Sequence, residues 1–205
     1  MSGRVAVAAS CLLIVAAAGR AQEAAPDPGF VLARYASRTA LGFYAGYAAG
    51  PVLALVGMIQ NPRTQYREAV VGVGAHPLSE GAVDVIAAVA AANTTDGWFT
   101  QLYLVPSWRA GRASATATLE YYVPLGRSGV GELDVAPATA IVALSKALGA
   151  GAAWVLSAPA GGPTRQALGP ALQLAIPRGT VRLDLLRGIA GGASEVRLTV
   201  QCAWR

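Results

Sequence analysis

The sequence predicts an all-β protein: a closed antiparallel up-and-down transmembrane β-barrel of about 12 strands, with 10 or 8 as the fallback counts. Three observations carry this. The last eleven residues before Arg205 alternate without error, Glu195, Arg197, Thr199 and Gln201 on one parity and Val196, Leu198, Val200, Cys202 and Trp204 on the other. Turn-forming residues recur at near-even intervals along the rest of the chain. Finally, the chain is 54% hydrophobic and only 13% charged. Yet beyond its first 21 residues its longest uninterrupted apolar stretch, Val85 to Ala92, falls far short of the ~20 residues a spanning helix needs.

The elements follow in order. Residues 1–21 have a basic start at Arg4, an apolar run from Val5 to Ala18 and the small-residue stretch Gly19-Arg20-Ala21. That is the pattern of a secretory signal peptide, expected as a short helix removed after Ala21. Cys11 sits inside the apolar run, so it is not placed as a lipid acceptor. Of the 16 basic residues, Arg4 and Arg20 leave with this segment, so the mature chain carries 14 basic and 11 acidic side chains, a formal +3. That balance, with the basic residues dispersed, argues against a nucleic-acid partner. Cys202 is then the single mature cysteine, which excludes an intramolecular disulfide. Residues 22–29, QEAAPDPG, read as a short polar leader, and residues 30–205 as the barrel domain.

Within the barrel, turns are expected at Ala48–Pro51, Asn61–Thr64, Pro77–Gly81, Asn93–Gly97, Ala110-Gly111 and Gly126–Gly131. Further turns are expected at Leu148–Gly151, Ala158–Thr164, Pro177–Gly179 and Gly188–Ala193. These leave eleven strands after Thr39, and Phe30–Ala36 supplies a twelfth, giving the even number such barrels have. Alternation is clearest over Arg112–Leu125, Gln166–Ile176, the segment opening at Thr180, and the C-terminal segment. Ala82–Ala92 is Ala-rich and nearly all apolar, so by itself it reads equally as a short buried helix. Val135–Leu148 loses its polar parity after Asp134.

Alternation alone also fits a water-soluble barrel with an apolar interior, so a soluble periplasmic lipid- or small-ligand-binding barrel is the competing reading. Aromatic residues near expected strand ends favour the membrane: Tyr44, Tyr47, Trp98, Trp108, Tyr121, Tyr122 and Trp204, placed as interfacial girdles require. Trp154 falls mid-strand instead. The C-terminal strand ending on Trp204 resembles the assembly signal of bacterial outer-membrane β-barrel proteins, although there the aromatic is usually final and here Arg205 follows it. The resemblance implies a location in the outer membrane, a periplasmic leader, lipid as surroundings, and the barrel-assembly machinery as a partner during biogenesis. It implies a structural or narrow-channel, porin-like role and leaves oligomeric partners open.

Candidate chemistry lies in the lumen. Glu120, Asp134, Arg182, Asp184, Glu195 and Arg197 share the inner parity of neighbouring strands, and Arg109 and Arg112 lie near one mouth. Buried charges must be paired or hydrated, so the polar lumen is either a passage or a plug of salt bridges. Opposite charges on the last two strands are expected to pair across the strands. No catalytic residue, cofactor or metal ligand is assigned. His76 is the single histidine, and the resemblance of HPLSE to lipid A deacylases with their His-x-Ser pair fails because Leu78 stands in the third position. One histidine and one cysteine do not make a zinc site.

Overall fold

The structure, a computed structural model, describes residues 29–37, 40–126 and 129–204. The expected signal peptide and nearly all of the leader lie outside the described residues. Twelve strands follow one another: β1 (Gly29–Ala36), β2 (Ala40–Ala49), β3 (Val52–Asn61), β4 (Tyr66–Glu80), β5 (Val83–Thr94) and β6 (Gly97–Ala110), then β7 (Ala113–Pro124), β8 (Glu132–Ala143), β9 (Leu148–Pro159), β10 (Arg165–Ile176), β11 (Gly179–Ile189) and β12 (Glu195–Trp204). Each pairs antiparallel with the next, and β1 closes the cylinder on β12, from Gly29 opposite Trp204 to Ala36 opposite Arg197. The barrel opens at Gly29, one residue before the expected boundary at Phe30. Closure leaves no strand edge, so backbone donors and acceptors are satisfied between neighbouring strands, as hydrocarbon surroundings demand.

Two ends result. The terminal end holds the start of β1, the finish of β12 and the short β2–β3, β4–β5 and β6–β7 turns. The far end holds the β1–β2, β3–β4, β5–β6, β7–β8, β9–β10 and β11–β12 connections. Gly50, Gly81 and Gly111 sit in three terminal-end turns with φ of +60°, +57° and +55°. Two-residue hairpins twist correctly only with such left-handed residues.

The sheet separates its two faces cleanly. Met58, Val71, Val73, Leu172 and Leu198 stand exposed on the outside, Val71 at 61%. The opposite parity carries Glu68, Gln101, Glu120, Asp184, Glu195 and Thr199, all buried. The oily parity therefore faces outward, the reverse of a soluble barrel with an apolar interior. Tyr35, Tyr47, Trp98, Trp108 and Tyr121 are exposed outside, near strand ends. Tyr44 and Tyr122 correct the expected girdle. Register puts Tyr44 opposite Gly57 and Tyr122 opposite Gln101, so both rings point inward. Trp154 does lie mid-strand, and its indole N–H donates to the Gln166 side-chain oxygen at 3.2 Å, satisfying a donor that hydrocarbon would strand.

Three segments depart from the sequence expectation. Leu148–Gly151 is strand, and the turn is Leu144–Ala147, where the Ser145 hydroxyl accepts from the N–H of Ala147 (3.2 Å) and Leu148 (3.0 Å). Gly149 and Gly151 are there for close approach: a Cβ on Gly151 would lie 1.8 Å from the Ala140 carbonyl oxygen. Second, β4 continues through Pro77 to Glu80, because a bulge between Ala75 and Leu78 absorbs the proline without requiring its missing N–H. Third, the parity lost after Asp134 is a bulge in β8. Its register against β9 shifts between Val135 and Ala138, after which the odd residues Thr139 and Ile141 are the buried ones. The Ala-rich 83–92 segment is strand β5, paired on both sides.

Candidate lumen site

At the far end the lumen opens into a cavity of about 980 Å³. Its lining includes Thr95 and Asp96 of the β5–β6 turn, Val130 before β8, and Gly192 and Ala193 before β12, but no residue of the terminal-end turns. The cavity is thus a vestibule at the far mouth of the barrel. Deeper in, Gln101 and Asp184 are fully buried. Two apolar clusters fill wall positions, one centred on Ile141, Val155 and Leu186, the other on Val70, Phe99 and Tyr122.

Strand register builds the polar wall. Tyr103, Glu120, Asp134, Ser157 and Arg165 are successive cross-strand partners on β6, β7, β8, β9 and β10. They form one continuous row of polar groups around nearly half the lumen. Glu120 Oε2 accepts from the Tyr122 hydroxyl (3.1 Å) and from Gln101 Nε2 (3.4 Å). Tyr66 donates to Glu68 Oε2 at 2.7 Å, and Ser157 donates to Glu132. Phe99 stacks edge-on against Tyr122 with centroids 6.2 Å apart, fixing the ring whose hydroxyl holds Glu120. On the opposite arc, Arg34, Thr199, Arg182 and Gln173 form a second register row across β1, β12, β11 and β10.

The described lining is polarised across the lumen, with Glu195 beside Arg197 the one carboxylate among its described residues on the arginine side. Glu68, Asp96, Glu120, Glu132 and Asp134 line the cavity from the β4–β8 arc, whereas Arg165, Arg197 and Arg34 line it from β10, β12 and β1. Several buried polar atoms find no hydrogen-bond partner among the described residues: Arg34 Nε, Glu68 Oε1, Gln101 Oε1, Tyr103 Oη, Asp134 Oδ1, Asp184 Oδ2 and Thr199 Oγ1. Buried groups of this kind are held by ordered water or a polar ligand.

The structure places the expected residues as follows. Glu120, Asp134, Glu195 and Arg197 line the vestibule, and Arg182 and Asp184 lie on the same inner face beneath it. Among the described residues the ion pairs run along each strand, where pairing across the strands is expected: Arg182 Nε to Asp184 Oδ1 at 2.9 Å on β11, and Arg197 to Glu195 on β12. Residues two apart share a face, and an arginine side chain spans that interval. Across the strands, Asp184 does sit opposite Arg197 in register. Arg109 and Arg112 are not brought to the vestibule. Both are exposed at the terminal end, where Arg112 donates to the carbonyls of Ala143 (2.8 Å) and Leu144 (2.7 Å). His76 lies at the β4 bulge with Nδ1 3.4 Å from Asp84 Oδ1, also away from the vestibule. The outward parity of β12 holds Val196, Leu198, Val200 and Cys202, and the strand ends at Trp204.

Arg34, Glu68, Tyr66, Gln101, Tyr103 and Arg165 join the lumen without having been singled out from the sequence, and Tyr44 joins it in place of the expected girdle. Arg34 shares its inner parity with Phe30 and Leu32, so β1 shows no polar face to read. Glu68 is followed on its parity by Val70, Gly72 and Gly74 while the outside carries Val71 and Val73, so β4 has no contrast either.

No family model matches the chain, and no curated protein matches it in sequence. Solved structures do match in shape. The NanC porin is similar over 86% of this chain and 99% of its own, with a TM-score of 0.56 and 12% identity. The KdgM porin in complex with disordered oligogalacturonate is similar over the same shares, with a TM-score of 0.58 and 9% identity. Closed, twelve-stranded and oily outside, this chain has the fold of bacterial outer-membrane porins.

Proposed function

We propose that this protein is a narrow-channel, porin-like barrel of the bacterial outer membrane that admits small polar solutes through its far-end vestibule. The observation that carries this reading is the cavity itself: about 980 Å³ lined by carboxylates, guanidiniums and tyrosine hydroxyls, inside a cylinder whose exterior is apolar. An enclosed structural barrel has no need of a charged, open-mouthed hollow, since each buried charge carries a desolvation cost. A porin of similar shape is seen in complex with disordered oligogalacturonate, so a barrel of this shape can hold a polar solute. The reading is of a passage, and no catalytic step is assigned to it.

A second reading, a barrel plugged below the vestibule, is favoured by the fully buried Gln101 and Asp184 and by the Arg182–Asp184 ion pair. Single-channel recording on the purified protein in planar bilayers separates the two. Discrete conductance steps support the passage, and their complete absence supports the plug.

The same reading takes residues 1–21 as the export signal and β12 as the segment presented to the barrel-assembly machinery. Val196, Leu198, Val200, Cys202 and Trp204 supply the oily parity of that strand. Trp204→Ala should lower the yield of membrane-inserted barrel in cells while leaving detergent refolding intact. Unchanged insertion would remove β12 from that role.

A further inference from the structure

We propose that the vestibule selects cations and binds organic ammonium ions, a statement that rests on the vestibule being the entrance of a passage. Among the described residues, six carboxyl side chains line it, Glu68, Asp96, Glu120, Glu132, Asp134 and Glu195, against three guanidiniums, Arg34, Arg165 and Arg197. The formal balance of this described lining is therefore −3. A low-dielectric wall focuses such a field along the lumen and concentrates counter-ions in it.

Charge alone would attract any cation, but three further observations narrow the class. Glu68 is only 2% exposed, and its Oε1 has no partner among the described residues. Asp134 Oδ1 is a second buried acceptor in the same lining without a partner among the described residues, against one such donor among them, Arg34 Nε. The groups still to be satisfied thus ask mainly for a donor. An ammonium offers three donors and no acceptor. Tyr44, Tyr66, Phe99 and Tyr122 belong to the same lining, and aromatic rings attract ammonium ions through their quadrupole and hold alkyl stems by apolar contact. Carboxylates interleaved with aromatic rings suit an alkyl amine better than a strongly hydrated inorganic ion. A dicarboxylate would meet mainly like charge.

The test compares two probes of equal chain length, 1,5-diaminopentane and glutarate, by calorimetric titration of the full detergent-refolded barrel. Reversal potentials across a KCl gradient are recorded from the same protein in bilayers. The diamine is expected to bind several-fold more tightly than glutarate, and open channels should prefer potassium to chloride. Glu68→Gln with Asp134→Asn should weaken diamine binding several-fold, and Arg34→Gln should strengthen it. Folding of each variant is checked by its heat-modifiable gel mobility. If the double variant does not fold, Glu132→Gln at the rim carries the same readout. Glutarate binding as tightly as the diamine, no binding of either probe, carboxamide variants with unchanged diamine affinity, or chloride preference would each overturn the proposal. A barrel that binds the diamine but never conducts would retain the ligand class and lose the passage.

Discussion

Glu120 on β7 and Asp134 on β8 stand directly opposite one another in the strand register, both turned into the lumen. Glu120 has Tyr122 and Gln101 as donors, while Asp134 Oδ1 has no partner among the described residues. Two like formal charges in directly opposed positions destabilise a strand pair. Asp134→Asn should therefore raise stability by roughly 0.2–1 kcal/mol, read as a higher urea midpoint for unfolding from lipid vesicles. A lower midpoint would mean that Asp134 is held favourably by groups other than its register partners.

The two faces of β12 should respond oppositely to a charge. Leu198 is exposed on the outside, so Leu198→Arg places a guanidinium in hydrocarbon and should cost ~2–4 kcal/mol near mid-membrane. Thr199 looks like its lumen-side counterpart by parity, but it is buried between Arg34 and Arg182 in register, and a third arginine there would add repulsion. Gln201 is inward and accessible, opposite Leu32 and Thr180. Gln201→Arg should shift the urea midpoint far less than Leu198→Arg, and equal losses would contradict the assignment of faces.

Crowding at the wall gives a steric prediction. A Cβ on Gly151 would meet the Ala140 carbonyl oxygen at 1.8 Å, a backbone atom that cannot swing aside. Gly151→Ala should destabilise the barrel by about 1–3 kcal/mol, the usual range for overpacking. Gly126 has open space around it, so Gly126→Ala should stay within about 0.5 kcal/mol of the parent. Urea titration of both variants checks the contrast.

Arg112 tests what the rim arginines do. Its guanidinium donates to two carbonyls at the β8–β9 turn and does not line the vestibule. Arg112→Ala should cost roughly 1 kcal/mol, because solvent replaces much of an exposed charge-assisted bond. It should leave conductance and ion selectivity unchanged in bilayer recordings. A change in selectivity would place Arg112 in the ion path.

Strand alternation was legible wherever the two faces differ chemically. The segments β7, β10, β11 and β12 set Ser, Thr, Arg, Asp or Gln against Leu and Val, so their inner residues follow from parity. It was hidden wherever the lumen itself is apolar or crowded. On β1 and β4 both faces are aliphatic, and Arg34 and Glu68 are single polar residues in otherwise greasy inner rows. Gly149 and Gly151 imitate a turn, because a glycine required for close backbone approach looks in sequence like one required for a positive φ. The β8 bulge moves the inner row from Glu132 and Asp134 to Thr139 and Ile141, a shift no fixed two-residue period can follow. Arg109 and Arg112 are legible as mouth residues, but which mouth opens into the vestibule is set by how the far-end connections and wall side chains pack, which side-chain pattern does not encode.

The most direct test of the account is an oxygen-accessibility scan of nitroxide labels placed one at a time from Glu195 to Gln201 in lipid vesicles, with Cys202 first replaced by Ser. Labels at Val196, Leu198 and Val200 should relax strongly with lipid-dissolved oxygen, while those at Glu195, Arg197, Thr199 and Gln201 should be shielded, in a two-residue period. The opposite phase, a helical period or no period would contradict a barrel that is oily outside and polar within.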